Sequence, residues 1–161
     1  MKKVEIGKVK IRFAKPDDFE EINTLLEELT QAIKKVESPS TYVLKAPKSS
    51  RRNIFNKIRA SENKIFIAKY EGRIVGFVNF QLILNVRYGW TRGHIEEIIV
   101  KDGFRGKGIG SLLLTRIKVW CKKNGVKVIK VAPNKKFKET QKFFEKNGFV
   151  SKYKGYRLDL K

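Results

Sequence analysis

The sequence predicts a mixed α/β (α+β) fold with a mostly antiparallel central sheet and about four flanking helices. Three observations carry this. Two β-rich runs, Lys64 to Tyr70 and Arg73 to Val86, are separated only by Glu71-Gly72, a hairpin signal. Apolar stripes at helical spacing lie on both sides of that β-rich centre. Three glycines, Gly106, Gly108 and Gly110, alternate where a strand ends and a helix begins. The expected order is β-α-α-β-β-β-α-β-α-β, one domain over residues 1–161.

Each element has its own local reason. Val9, Ile11 and Phe13 alternate with polar neighbours as in a half-buried strand, until Pro16 breaks the pattern. Asp17-Asp18 favour a helix start, and Phe19, Ile22, Leu26, Leu29 and Ile33 follow as one stripe. Residues 37–50, with two prolines and a serine cluster, read as a loop that either faces a substrate or merely connects. A short helix should follow with Ile54, Phe55 and Ile58 inward. In the second hairpin strand Val78, Phe80, Leu82, Leu84 and Val86 alternate strictly. Tyr88-Gly89 turns the chain into a third strand, Trp90 to Lys101. Ile109, Leu112, Leu113, Ile117 and Trp120 stripe a helix that ends at Asn124-Gly125. Val126 to Ala132 reads as a strand, and Asn134 as the cap of a helix burying Phe137, Phe143 and Phe144. A last strand is expected around residues 156–160.

Composition excludes several classes. The start of the chain lacks the apolar stretch of a secretion signal, and no apolar run approaches the ~20 residues that span a bilayer. The single cysteine, Cys121, has no disulfide partner and no companions for a metal site. A cytoplasmic protein without membrane contact or metal is the expectation. Charge says more. There are 37 Lys plus Arg against 16 Asp plus Glu, a formal net charge of +21. Residues 1–40 hold eight of each sign, so residues 41–161, with 29 basic and eight acidic, carry the whole excess. Such a field concentrates anions: nucleic acid, ribosomes or a phosphorylated small molecule. A solvated lysine-rich surface is the plain alternative.

The glycine loop, Arg105-Gly106-Lys107-Gly108-Ile109-Gly110, suits phosphate chemistry. Glycine lets the backbone turn sharply and approach a ligand, and the N–H groups at a helix start bind phosphate oxygens. Arg105 and Lys107 add charge beside it. A dinucleotide motif needs G-x-G-x-x-G and a nucleotide-triphosphate loop needs G-x-x-x-x-G-K-[ST]; neither spacing is present. At these residues the chain resembles the GNAT superfamily of N-acetyltransferases, whose motif [QR]-x-x-G-x-[GA] is met from Arg105 to Gly110. Residues 95–100 resemble that family's fourth strand, and Asn134 to Phe149 its last helix and turn. The resemblance implies acetyl-CoA as co-substrate. Its pyrophosphate would lie on Arg105, Gly106, Lys107, Gly108, Ile109, Gly110 and Ser111. Its pantetheine arm would pair with the edge of Ile98, Ile99 and Val100, where that strand splays from the next, near Asn134.

An alkyl amine attacks only when neutral, so a transferase gains from a general base. His94 and Glu96 share one face of the third strand by period-two geometry, while Glu97 points away unless a bulge intervenes. Histidine is the side chain best suited by type to proton transfer near neutral pH, and the resemblance supports both His94 and Glu96 as catalytic. Phe144 stands where many family members carry a tyrosine that protonates the leaving thiolate; Tyr153 or Tyr156 are the nearest substitutes. The expected activity is acetyl transfer from acetyl-CoA to a primary amine, on a protein or a small molecule. The alternatives are a nucleic-acid- or ribosome-binding module, or a CoA-binding protein without catalysis, on the same scaffold.

Overall fold

The computed structural model describes residues 4–36, 46–87 and 89–152. One sheet holds β1 (Lys10–Phe13), β2 (Lys64–Tyr70), β3 (Arg73–Asn85), β4 (Trp90–Val100) and β5 (Ile129–Val131), side by side in that order. All neighbours are antiparallel except β4 and β5, which run parallel. The helices are α1 (Phe19–Lys34), α2 (Lys48–Ala60), α3 (Ile109–Lys123) and α4 (Lys138–Lys146). The expected last strand, Tyr88, and most of the 37–50 loop lie outside the described residues. At the β2–β3 turn Glu71 and Gly72 take φ of 47° and 79°, the left-handed pair that a tight hairpin demands.

Strand alternation divides the apolar side chains between two cores. On one face Phe66, Val78, Phe80 and Ile95 meet Ile109, Leu113, Leu114, Ile117 and Phe144 of α3 and α4. On the other Ile65, Ile67, Phe77 and Ile99 meet Phe19, Ile22, Leu25 and Phe55 of α1 and α2. Each large side chain so buried contributes about 1.5–3 kcal/mol. Two apolar patterns run further than the burial. Leu84 and Val86 are 80% and 99% exposed, because β3 outruns the helices that cover Val78 and Phe80. Ile54 is exposed as well, since α2 turns Phe55 and Ile58 to the core instead.

Charge holds α1 in place. Arg12 of β1 donates two hydrogen bonds to Asp18, at 2.6 and 2.8 Å, and the Lys15 N–H donates a third at 2.6 Å. Glu21 accepts from the Ile74 N–H at 2.8 Å, tying α1 to the start of β3. On its outer side Glu20 pairs with Lys48 and Arg52, and Glu27 with Arg51. Lys48, Arg51 and Arg52 of α2 are thus answered by the acids of α1. Residues 104–152 hold 14 Lys plus Arg against Glu139 and Glu145 alone, so +12 of the +21 falls on the α3–β5–α4 side. Within α3, Cys121 faces the core at 2% exposure, and burial pushes its thiol up to about 11. Among the described residues no helix is long and apolar enough to cross a membrane.

Candidate active site

The glycines of the loop have separate duties. Gly106 and Gly108 take φ of 72° and 84°, a conformation that an L side chain adopts only with strain. Gly110 lies inside the first turn of α3, where a Cβ would come within 3.0 Å of the Phe143 ring. It is there for packing. The first helical bond runs from the Leu112 N–H to the Gly108 carbonyl. The N–H groups of Ile109, Gly110 and Ser111 therefore have no carbonyl within the helix to bond, and they form the positive end of α3. The Ile109 side chain is core. The cations brace the loop: Arg105 Nε donates to the Val100 carbonyl at 3.0 Å, and Lys107 Nζ to the Gly103 carbonyl at 2.7 Å.

β4 and β5 pair only where Gly93, His94 and Ile95 meet Ile129, Lys130 and Val131. β5 then stops, shorter than the strand expected over 126–132, while β4 continues to Val100. From Glu96 to Val100 the β5-facing edge of β4 has no strand partner. Ile98, Ile99 and Val100 thus lie on an edge without a partner strand, and the chain leads from Val100 into the glycine loop. Beyond β5, the Asn134 Oδ1 accepts from the Lys136 N–H at 2.9 Å, closing a turn. The helix begins only at Lys138, with Phe137 at its cap, so Asn134 caps that turn and not α4.

The third feature is a bulge. Asn79 faces Glu97 and Phe80 faces Ile95, so Glu96 is an extra residue in β4. Its effect is visible in the cores: Ile95 packs on the α3 side, whereas Ile99, four residues on, packs under α1 and α2. Gly93 faces the α3 side, where a Cβ would collide with Phe80 at 2.1 Å, so Arg92 and His94 point the other way. Glu97 joins that side. His94 Nε2 and Glu96 Oε2 stand 3.4 Å apart, Glu96 being the more exposed. Glu97 is half-buried, and its Oε2 accepts from Asn79 Nδ2 at 2.8 Å. Burial raises the Glu97 carboxyl above the ordinary range; the Asn79 hydrogen bond opposes this, and the Glu96 charge adds to it. Asn79 is itself buried, and its Oδ1 has no partner.

The strand pattern alone placed Glu97 on the wrong face and passed over Asn79. Only the conditional bulge pointed to Glu97, and an asparagine inside a run as apolar as Ile74 to Leu84 was the signal for Asn79. Phe144 is core, edge-on to Phe143 and Phe149 with centroids 5.2 Å from each, and has no acidic proton to donate. Tyr153 and Tyr156 lie outside the described residues.

Comparison with known proteins agrees with this fold. The profile of the acetyltransferase (GNAT) family matches residues 26–149. A glucosamine 6-phosphate N-acetyltransferase of Trypanosoma brucei brucei is 33% identical over 99 residues, 60% of this chain and 65% of that protein. An aminoalkylphosphonate N-acetyltransferase of Salmonella typhimurium is 24% identical over 83 residues, 52% of this chain and 54% of that protein. The chain thus spans less than two thirds of either curated relative. Among solved structures, a transcriptional regulator from Bacillus halodurans superposes with a TM-score of 0.80 at 26% identity, covering 94% of this chain and 99% of that one.

Proposed function

The chain belongs to the GNAT acetyltransferase family, and on that premise we propose that it moves an acetyl group from acetyl-CoA to a primary amine. The observation that carries the reading is that one strand serves both halves of the reaction. The β5-facing edge of β4 opens toward the glycine loop, and its α1-facing side presents Glu97, His94 and Glu96. The loop fits a pyrophosphate, since the free N–H groups of Ile109, Gly110 and Ser111 point out of the α3 N-terminus with Arg105 and Lys107 beside them. Acetyl-CoA supplies the acetyl thioester.

The protein's own residues do the rest. At pH 7 only about 1 in 10³ of free alkylamines is neutral. Glu97 takes the amine proton, directly or through a water held with the unpartnered Asn79 Oδ1. Its raised carboxyl makes it a stronger base than an exposed glutamate. The exposed His94–Glu96 pair is the competing base and the proton's way out to solvent. N–H groups on the free edge of β4 meet the negative charge that grows on the thioester oxygen. A thiolate with pKa near 8.5 leaves without an acid, so Phe144 is tolerable.

The acceptor is best read as a small amine that also carries an anion. The two curated relatives are named for such molecules, a sugar phosphate and aminoalkylphosphonates. The +21 charge attracts them and repels polyamines. A nucleic-acid or ribosome partner is the second reading, favoured by the 14-to-2 imbalance over residues 104–152. A cytoplasmic setting suits either. Release of CoA in the presence of an amine panel tests the proposal, and no turnover with any amine would overturn it. Salt-dependent RNA or DNA retention tests the second reading.

A further inference from the structure

Arg92 stands on β4 opposite Ile83, two residues before His94. Gly93 between them faces the α3 side, so Arg92 and His94 share the face that the bulge gives to Glu97. Arg92 is half-buried, and its Nε is fully buried with no hydrogen-bond partner. Among the described residues its guanidinium makes no ion pair either, although Glu96 and Glu97 lie on the same face. Elsewhere the partly buried cation on the same side of the sheet is answered in full: Arg12 holds Asp18 through two bonds. A buried guanidinium N–H left without an acceptor is costly, and none of the described residues supplies one. An anion bound beside it would.

We infer that Arg92 is a specificity-determining residue that holds a phosphate or phosphonate on the acceptor while Glu97 receives its amine. This rests on the acetyl-transfer reading with an anionic acceptor and names the residue that holds the anion. The planar fork of arginine matches tetrahedral oxyanions through paired N–H bonds, which a lysine cannot reproduce. With a rise of ~3.4 Å per residue and one residue spent in the bulge, the backbones of Arg92 and Glu97 lie ~14 Å apart along β4. The long arginine side chain can shorten that gap. A small molecule with amine and phosphate several bonds apart reaches both groups, and a bare alkylamine reaches one.

The test compares matched acceptors on the full chain: phosphoethanolamine against ethanolamine, and an amino-sugar phosphate against its parent sugar. The readout is the ratio of kcat/KM values within each pair. The wild type should favour a phosphorylated member by about 10–100-fold, the worth of one or two charge-assisted hydrogen bonds. Arg92→Gln should bring the ratio close to one, chiefly through KM, and Arg92→Lys should recover part of it. A wild-type ratio near one, or a ratio that both variants leave intact, overturns the inference. If no amine turns over, calorimetry with inorganic phosphate on the CoA-saturated chain decides it separately. Phosphate binding that disappears in Arg92→Gln upholds the anion site while the transferase reading fails, and binding that ignores Arg92 removes the site. Should Arg92→Gln fold poorly, Arg92→Lys alone must still weaken phosphate relative to the wild type.

Discussion

The glycine loop and the α1-facing side of β4 are two halves of one candidate site, and they are built on opposite principles. The loop works through backbone. Gly106 and Gly108 supply a left-handed path, Gly110 makes room for Phe143, and the free N–H groups at the start of α3 are the proposed binding surface. The β4 side works through side chains, and one inserted residue decides which of them stand together. A backbone site survives most substitutions outside its glycines. A side-chain site depends on register, so a change of one residue relocates its chemistry.

The severest break of that contrast is Gly108→Asp. Aspartate at φ of 84° is strained, its Cβ would stand 3.6 Å from Ile6, and it adds a negative charge to the loop proposed for the pyrophosphate. CoA binding should drop below detection in calorimetry while circular dichroism stays that of the wild type. Unchanged affinity would detach the loop from the co-substrate.

Next in size is Glu97→Gln, which should lower kcat by about 10²–10⁴, the usual worth of a general base, with CoA affinity kept. Glu96→Gln and His94→Ala should each cost far less. The reverse ranking would return the base to the His94–Glu96 pair. The loss in Glu97→Gln should shrink at high pH, where more amine is already neutral.

The pH dependence sharpens the same point. Because the Glu97 carboxyl is raised, activity should fall with acid at a higher pH than an exposed glutamate gives. Asn79 donates to the ionised form, so Asn79→Ala should raise that carboxyl further and move the acid limb upward again. Stability runs the opposite way. A carboxyl raised by folding lends stability below its unfolded pKa and loses it as pH rises through the folded value. At pH 7 Glu97→Gln should therefore melt somewhat above the wild type, and below pH 4 that gain should vanish. A lower melting temperature at pH 7 would mean that Glu97 serves structure.

The smallest effect concerns the long-range field. For an anionic acceptor kcat/KM should decline a few-fold as salt shortens the Debye length to about 8 Å, while a cationic amine such as spermidine should gain. If spermidine is the better substrate at low salt, the basic surface is only solvated.

This contrast also explains what could be read in advance. The element order, the Glu71-Gly72 hairpin, the α3 stripe and the glycine loop are local patterns, set by periods of 2.0 and 3.6 and by the demand for left-handed backbone. Glu97 was hidden because a bulge leaves no mark of its own in composition. His94 and Glu96 look like the working pair until the register Asn79–Glu97 and Phe80–Ile95 is known. The exposed ends at Leu84 and Val86 were hidden for a similar reason: alternation tells which side a residue faces, and only the helix lengths tell whether anything covers it.

Cys121 has a practical bearing on all of these measurements. Acetyl transfer would liberate one free thiol per turnover, on CoA, and a disulfide dye counts such thiols continuously. The protein's single thiol, 2% exposed and held protonated by its burial, cannot compete for the dye while the chain is folded. Colour that develops with substrate present is then product. Colour that develops without substrate is Cys121 coming into view, so one cuvette reports turnover and, in the blank, the opening of α3.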